Sequence, residues 1–212
     1  MKSFERWTID EVEREFHLTE QRQHPKLLAW LESAPKLTPE EIVAIEPYRA
    51  LLEENAYFWN EEELKIRCIG PLLEQVKFDN HRYKSFFERS LKAMVNGETL
   101  SGIVDFMVAS GKGVPQEPYF FLQEYKPQRG RVGDPLAQVL VAMVAATSLN
   151  SSLPHTLYGG YVIGRQWFFL ILSGDSYSIS KGFDASQNDV FQIVAILKRA
   201  KEYIEEILAA RH

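Results

Sequence analysis

Two mainly apolar segments separated by a short turn constrain the fold of this chain more than any other feature. Residues 102–109 and residues 118–126 are rich in β-branched and aromatic side chains, which is typical of strands. The segment between them, residues 110–115, contains two glycines and a proline and predicts a turn or loop. We therefore predict two neighbouring strands of one sheet.

Charged side chains lie inside both predicted strands. Because side chains alternate along a strand, one face of each segment combines apolar and charged residues. The residues predicted to share these faces are Ile103, Asp105 and Met107 on the first strand and Phe120, Leu122, Glu124 and Lys126 on the second. Removing an unpaired carboxylate from water is costly. A divalent cation bound by both carboxylates, with the lysine ammonium nearby, would compensate that cost.

Such a site has a definite chemistry. Mg²⁺ prefers carboxylate oxygens and keeps several waters, one of which can attack a phosphodiester, and Mn²⁺ is the alternative ion. Lys126 could hold or deprotonate that water, or neutralise charge that develops on the phosphate. The competing interpretation of Glu124 and Lys126 is a cross-strand salt bridge at a sheet edge. The same Glu-x-Lys triplet occurs at residues 63–65, but we assign no role to it because a helix there would turn the two side chains apart.

The rest of the chain alternates helical and strand patterns. Residues 60–76 predict a helix that Pro71 kinks or splits, and residues 77–96 fit either a strand or irregular turns. Asp134 and Pro135 are typical of a helix start, here for a helix over residues 136–146. Beyond it, the patterns predict strands over 158–163, 167–172 and 176–180 and a closing helix over 188–210.

This order predicts an α/β fold, in which helices lie against the faces of a mixed sheet. Residues 1–55 read as an N-terminal helical extension, and residues 56–212 as the main domain. Cys68 is the only cysteine, which excludes an intramolecular disulfide and a multi-cysteine zinc site. The sequence has no signal peptide and no bilayer-spanning apolar run, so we expect a cytoplasmic location and no membrane partner. The formal charge of −5 argues against tight nonspecific binding of DNA.

Two short motifs carry a resemblance to a known family. Residues 102–106, Gly-Ile-Val-Asp-Phe, and residues 121–127, Phe-Leu-Gln-Glu-Tyr-Lys-Pro, resemble the core motif of the PD-(D/E)XK, or restriction-endonuclease-like, superfamily. Upstream, residues 60–63 and 70–73 are similar to the N-terminal helix of members related to type I restriction subunits. The resemblance extends over roughly residues 60 to 172. It implies a restriction-endonuclease-like mixed β-sheet flanked by helices and metal-dependent cleavage of phosphodiester bonds.

The resemblance also implies roles for individual residues. Asp105, Glu124 and the backbone carbonyl of Tyr125 would bind the metal, and Lys126 would be the catalytic lysine. A glutamate near the start of the upstream helix would face the metal. Spacing to residues 71–73 selects Glu61 for this role, whereas helical facing makes Glu62 equally suitable.

Two positions differ from the family pattern. Val104 stands before the aspartate in place of a proline, and Ala142 occupies a position where some members have a tyrosine. Gln138, four residues before Ala142, corresponds to a polar active-site position of many members. The other interpretation of Gln138 is a polar residue on an otherwise apolar helix face.

We therefore expect a Mg²⁺-dependent nuclease that acts on DNA, and a homodimer if both strands are cut. The alternative is a catalytically silent nuclease-fold module that binds nucleic acid or protein. Two basic stretches, residues 82–92 and residues 128–131, are either contacts to a phosphate backbone or plain solvated surface.

Overall fold

The computed structural model describes residues 2–130, 133–150 and 156–210. Within these ranges the chain forms one mixed sheet with helices on both faces. The strands are β1 (Lys2–Ser3), β2 (Thr19–Glu20), β3 (Lys84–Val95), β4 (Glu98–Ser110), β5 (Gln116–Lys126), β6 (Thr156–Ile163), β7 (Gln166–Ser173), β8 (Ser176–Ile179) and β9 (Phe183–Asp184). The α-helices are α1 (Ile9–Phe16), α2 (Pro25–Glu32), α3 (Pro39–Asn55), α4 (Glu61–Leu64), α5 (Gly70–Val76), α6 (Pro135–Leu149) and α7 (Asp189–Ala209).

The sheet combines antiparallel and parallel pairing, as the order of elements predicts. Its strand order is β1-β4-β5-β6-β7-β8-β2, with β3 paired to β4 and β9 paired to β7. Strands β3, β4 and β5 form an antiparallel meander, and β6, β7 and β8 form a second one. Between these meanders β5 and β6 run parallel, because α6 carries the chain back across the sheet. The predicted mixed sheet flanked by helices is confirmed.

Most predicted elements are confirmed with shifted ends. The two segments that embed the charged residues are β4 and β5, and residues 77–96 contain the long strand β3. Asp134 caps α6, since its Oδ1 accepts a hydrogen bond from the Ala137 N–H at 3.0 Å. No helix among the described residues is long and apolar enough to cross a bilayer.

The sheet separates two apolar cores. The core beneath α2, α3, α5 and α7 contains Trp30, Phe121 and Phe169. The core beneath α1 and α6 contains Leu122 and Met143. Because the central parts of β4, β5 and β6 are covered on both faces, residues 104–109 of β4, 120–125 of β5 and 159–162 of β6 are continuously buried.

Residues 2–55 take part in both cores and in the sheet. Strand β1 pairs with β4, and β2 pairs with β8 at the far end of the strand order. Trp30 is fully buried, and its indole Nε1–H donates to the Ile196 carbonyl of α7 at 2.9 Å. The helices predicted for this segment are present. The boundary after residue 55 stays a prediction.

Two predicted face assignments are wrong. Ile103 is 54% exposed, whereas its neighbour Val104 lies in the same core as Met107. Alternation along β4 is therefore interrupted between Val104 and Met107. Phe120 lies in the core opposite that of Leu122, because a bulge pairs Val108 with Phe121 and Ala109 with Tyr119 and leaves Phe120 between them. Strict two-residue alternation fails where a bulge adds a residue to one strand.

Candidate metal centre

Three acidic residues lie in a row across β3, β4 and β5. The β4–β5 register pairs Phe106 with Gln123, and continuing it by one residue sets Asp105 opposite Glu124. The β3–β4 register pairs Phe87 with Phe106 and Arg89 with Val104, which sets Glu88 opposite Asp105. The backbone of Glu88 is left-handed, with φ of 51°. A non-glycine residue in this conformation is strained, and such residues concentrate at functional sites.

Asp105 and Glu124 are the most buried members of this row. Their exposed fractions are 7% and 3%. Asp105 Oδ2 accepts a hydrogen bond from the Tyr125 N–H at 2.7 Å, which fixes the carboxylate to the neighbouring strand. Glu124 Oε1 accepts one from the Lys126 ammonium at 2.6 Å. Both carboxyls therefore have defined partners, but each is largely removed from water.

Burial raises the pKa of both carboxyls. It raises the pKa of Glu124 to about 9, and the nearby charge of Asp105 and a hydrogen bond with its carboxylate add to the increase. Burial also raises the pKa of Asp105, against the opposing charge of Lys65. These directions mean that the local positive charge does not fully compensate two carboxylates. A bound cation would supply the missing charge.

The carboxylates of Asp105 and Glu124 are the kind of ligand that hard divalent ions such as Mg²⁺ and Mn²⁺ prefer. The Tyr125 side chain is fully buried and its hydroxyl donates to Gln123 Oε1, so only the Tyr125 backbone remains as a ligand from this residue. Among the described residues, no three His, Cys, Asp or Glu side chains are grouped closely enough to hold an ion alone. Waters and a backbone carbonyl would therefore complete the coordination, as Mg²⁺ commonly requires.

Lys126 lies beside this pair in the interior of the sheet. Its side chain is 15% exposed, and its partner Glu124 belongs to the same strand. Burial lowers the pKa of Lys126, but the charge and the hydrogen bond of Glu124 outweigh this effect and the net change is upward. Strand β5 has β4 on one side and β6 on the other. Glu124 and Lys126 do form a salt bridge, as the alternative interpretation states, but it lies within a central strand and not across strands at a sheet edge.

The helix before β3 supplies further charge to the site. Its start is capped by Asn60, whose side chain accepts the Glu63 N–H at 2.9 Å. Glu61 Oε1 lies 2.8 Å from Lys65 Nζ, while Glu62 Oε1 lies 3.7 Å away and the Glu62 side chain is 73% exposed. The charge of Glu61 also acts on Asp105 and Lys126. Of the two candidate glutamates, Glu61 is the one turned towards the pair.

A π-helical turn at Lys65–Ile69 joins α4 to α5. In this turn the Gly70 N–H donates to the Lys65 carbonyl, five residues earlier. Pro71 follows directly and has no N–H to donate to the ordinary partner four residues before it. The helical path is thus continuous but widened just before the proline, where a kink or a split was predicted.

Lys65 and Glu88 belong to the site and sequence reasoning missed both. Lys65 Nζ lies 3.3 Å from Asp105 Oδ1 and 2.5 Å from Glu88 Oε1. The spacing of Glu61 and Lys65, four residues apart on a helix, was the available signal, because such pairs share a helix face. Glu88 gave no local signal, since only the pairing of β3 with β4 brings it to Asp105.

Gln138 lies on α6 and is 6% exposed. Its backbone N–H donates to the Asp134 carbonyl in the first turn of the helix. Within the described residues, its side chain makes no hydrogen bond to the Asp105–Glu124 pair. A role for Gln138 at the site stays a prediction.

The two basic stretches are partly engaged in contacts of their own. Arg82 forms an ion pair with Glu205 of α7, and Lys84 Nζ lies 3.8 Å from Asp79 Oδ2. In the loop after β5, the Arg129 guanidinium lies 4.7 Å from the Tyr57 ring centroid. Arg131, at the end of that stretch, lies outside the described residues. Arg89 and Lys92 of the first stretch are exposed, and among the described residues neither has an ion pair, so a contact of this stretch with a phosphate backbone stays a prediction.

Comparisons with known proteins assign no family to this chain. No protein-family model and no curated protein matches the chain. Among solved structures, the chain is similar to the crystal structure of SSO0001, with 11% sequence identity and a TM-score of 0.31. That similarity covers 86% of this chain and 88% of SSO0001. At this level of similarity it carries no argument about fold or function.

Proposed function

We propose that this chain is a metal-dependent nuclease of restriction-endonuclease-like fold that cleaves DNA. One observation carries the proposal: two buried carboxyls, Asp105 and Glu124, lie on neighbouring strands, and the Lys126 ammonium donates to Glu124. The sheet also supports it, because the two motif strands are antiparallel neighbours and a capped helix follows them.

Each residue would have a distinct part in the reaction. Asp105, Glu124 and the Tyr125 carbonyl would hold Mg²⁺ or Mn²⁺. When bound, the ion supplies an activated water and neutralises charge on the phosphate. The Lys126 ammonium, held by Glu124, would orient the attacking water or stabilise the developing negative charge. Glu61 would contribute negative charge from the helix side.

The test is cleavage of plasmid and single-stranded DNA with Mg²⁺ or Mn²⁺, compared with the same reactions in a chelator. Asp105→Ala and Lys126→Ala should each lower cleavage by roughly a hundredfold or more, as expected for loss of a group that stabilises the transition state. Lys198→Ala is a matched control, because Lys198 is also a part-buried, ion-paired lysine, with Glu41 as its partner. Robust cleavage by folded Lys126→Ala would remove the assignment of this lysine.

The second candidate function is a catalytically silent module of the same fold that binds nucleic acid or protein. The acidic residues around the pair and the formal charge of −5 favour it, because both oppose close approach of a phosphate backbone. Titration calorimetry with Mn²⁺ and gel shift at low salt separate the two functions. If the protein retains DNA but neither binds metal nor cleaves DNA, the silent module is the correct function. Absence of cleavage by itself does not distinguish the two functions.

Two further expectations accompany the proposal. A homodimer would allow both strands of a duplex to be cut with one site per chain. Sedimentation with and without duplex DNA tests it. A cytoplasmic location remains an expectation from composition.

A further inference from the structure

The Lys65 ammonium lies among carboxylates from three segments of the chain. Lys65 Nζ lies 2.5 Å from Glu88 Oε1 on β3, 2.8 Å from Glu61 Oε1 on α4 and 3.3 Å from Asp105 Oδ1 on β4. Only 12% of the Lys65 side chain is exposed. Ion pairs between largely buried groups are only weakly screened by salt and water. Lys65 is therefore the main positive charge on the helix side of the site.

The two oxygens of Asp105 have different partners. Oδ2 accepts the Tyr125 N–H, which ties that oxygen to the backbone of β5. Oδ1 faces Lys65, and this is the longest of the three short contacts of the ammonium. An ion that binds through Oδ1 must therefore compete with Lys65. Glu61 and Glu88 would keep the lysine in place after it loses that contact.

We infer that Lys65 is the protein's own counter-ion for this site and that a divalent cation must displace it from Asp105. The inference rests on the proposed function, since it takes Asp105 to be a metal ligand. Without an ion, Lys65 offsets repulsion among Glu61, Glu88 and Asp105, which allows the site to fold. With an ion, the lysine withdraws to the two glutamates. Lys65 thus sets the concentration of free metal at which the site fills.

The test is Mn²⁺ binding to chelator-treated protein, measured by titration calorimetry. Lys65→Met keeps the length and apolar stem of the side chain but removes its charge. We expect it to bind Mn²⁺ about tenfold more tightly, since a part-buried ion pair is worth on the order of one factor of ten in affinity. Lys198→Met removes an ion pair between α7 and α3 and should leave the affinity unchanged.

Thermal unfolding gives a second readout. In chelator, Lys65→Met should unfold at a lower temperature than the natural protein. Saturating Mn²⁺ should raise the unfolding midpoint of Lys65→Met by more than it raises that of the natural protein. Lys65→Gln is a second uncharged variant that keeps a polar end. If these variants fold only when Mn²⁺ is added, that rescue also supports the inference. Failure to fold even with Mn²⁺ would overturn it.

Failure of the inference can be told from failure of the proposed function. Unchanged or weaker Mn²⁺ affinity in the two folded variants overturns the role of Lys65 and leaves the metal site intact. Absence of Mn²⁺ binding in the natural protein and in both variants overturns the metal site and the inference together. Loss of binding in Asp105→Ala, with tighter binding in Lys65→Met, is the expected pair of results.

Discussion

At the scale of the residue, Glu124 is a carboxyl that the fold holds away from water. Burial raises its pKa from an ordinary value of 4.5 to about 9. Between these values the folded protein keeps a proton that the unfolded chain releases. The stabilisation that the proton gives is complete below about pH 4.5 and is lost as the pH rises towards 9. The free energy of unfolding of metal-free protein should therefore fall over this interval, by at most about 1.4 kcal/mol per pH unit.

Urea unfolding in chelator at several pH values between 5 and 9 measures this slope. Glu124→Gln should flatten it, because glutamine has no proton to release. Glu62→Gln is the control, since the Glu62 side chain is 73% exposed and should leave the slope unchanged. Equal slopes in the natural protein and Glu124→Gln would contradict a shifted carboxyl at this position.

Part of the site around Asp105 and Glu124 could be predicted from the sequence alone. Asp105, Glu124 and Lys126 stand out because charge interrupts apolar strands, which is a local signal. The local signals for Lys65 conflict. A helix would turn Lys65 away from Glu63 of the Glu-x-Lys triplet, whereas the four-residue spacing from Glu61 places Lys65 and Glu61 on one helix face. Glu88 joins the site only through strand pairing, which no local pattern predicts.

At the scale of the element, α6 packs against the sheet where β6 has a glycine. A Cβ at Gly159 would lie 2.7 Å from the Leu122 carbonyl oxygen and 3.1 Å from Met143 Sδ. The first of these atoms is backbone in the middle of the sheet and cannot move freely. Gly159→Ala should therefore force β6 away from β5 and from α6 and lower the free energy of unfolding by about 1–3 kcal/mol.

Gly113→Ala is a matched control in the turn between β4 and β5. A Cβ there would have no neighbour within 4 Å. Replacing a glycine in open space changes stability little, or raises it by restricting the unfolded chain. Denaturant unfolding of both variants distinguishes the two sites. A neutral Gly159→Ala would mean that β6 can shift away from β5 and α6 at low cost.

Asp134 connects two helices through one carboxylate. Its Oδ1 accepts the Ala137 N–H at the start of α6, and its Oδ2 accepts the Ile9 N–H at the start of α1. Asp134→Ala removes both acceptors and should lower the free energy of unfolding by about 2 kcal/mol. Asp134→Asn keeps one carbonyl acceptor and should lose less. Thermal unfolding orders the variants, and equal losses would rule out a double role for this side chain.

The elements that the sequence predicts well are those with many residues of regular spacing. The capped helix α6 and the strands β4 to β7 were found because hydrophobic periodicity and turn residues agree there. Strands β1 and β2 contain two residues each, too few to have a period. The bulge at Phe120 was equally invisible, because it depends on how two strands share their hydrogen bonds. Local patterns therefore give the element and its approximate ends, and tertiary pairing decides the face.

At the scale of the whole molecule, residues 2–55 supply part of the core of the main domain. Trp30 is fully buried, and its ring packs edge-on against Phe121, Tyr158 and Phe169. Loss of one such tryptophan costs about 3–5 kcal/mol, a large share of the roughly 5–15 kcal/mol that stabilises a typical domain. A chain that starts at residue 56 should therefore lack a cooperative unfolding transition.

Near-ultraviolet circular dichroism and urea unfolding of residues 56–212 test this expectation. Trp30→Phe in the full chain is the milder comparison, because it keeps an aromatic ring and loses the hydrogen bond to Ile196 and part of the buried ring volume. A sharp, cooperative transition in the shortened chain would show that the first 55 residues are a dispensable extension.

The pairing of β2 with β8 also has a consequence for the order in which the chain is made. Thr19 pairs with Ser176, more than 150 residues later in the sequence. At about 5–20 residues per second, a ribosome needs roughly ten to thirty seconds to pass from one partner to the other. During that time β2 has no partner strand, and this segment is accessible to a chaperone or a protease.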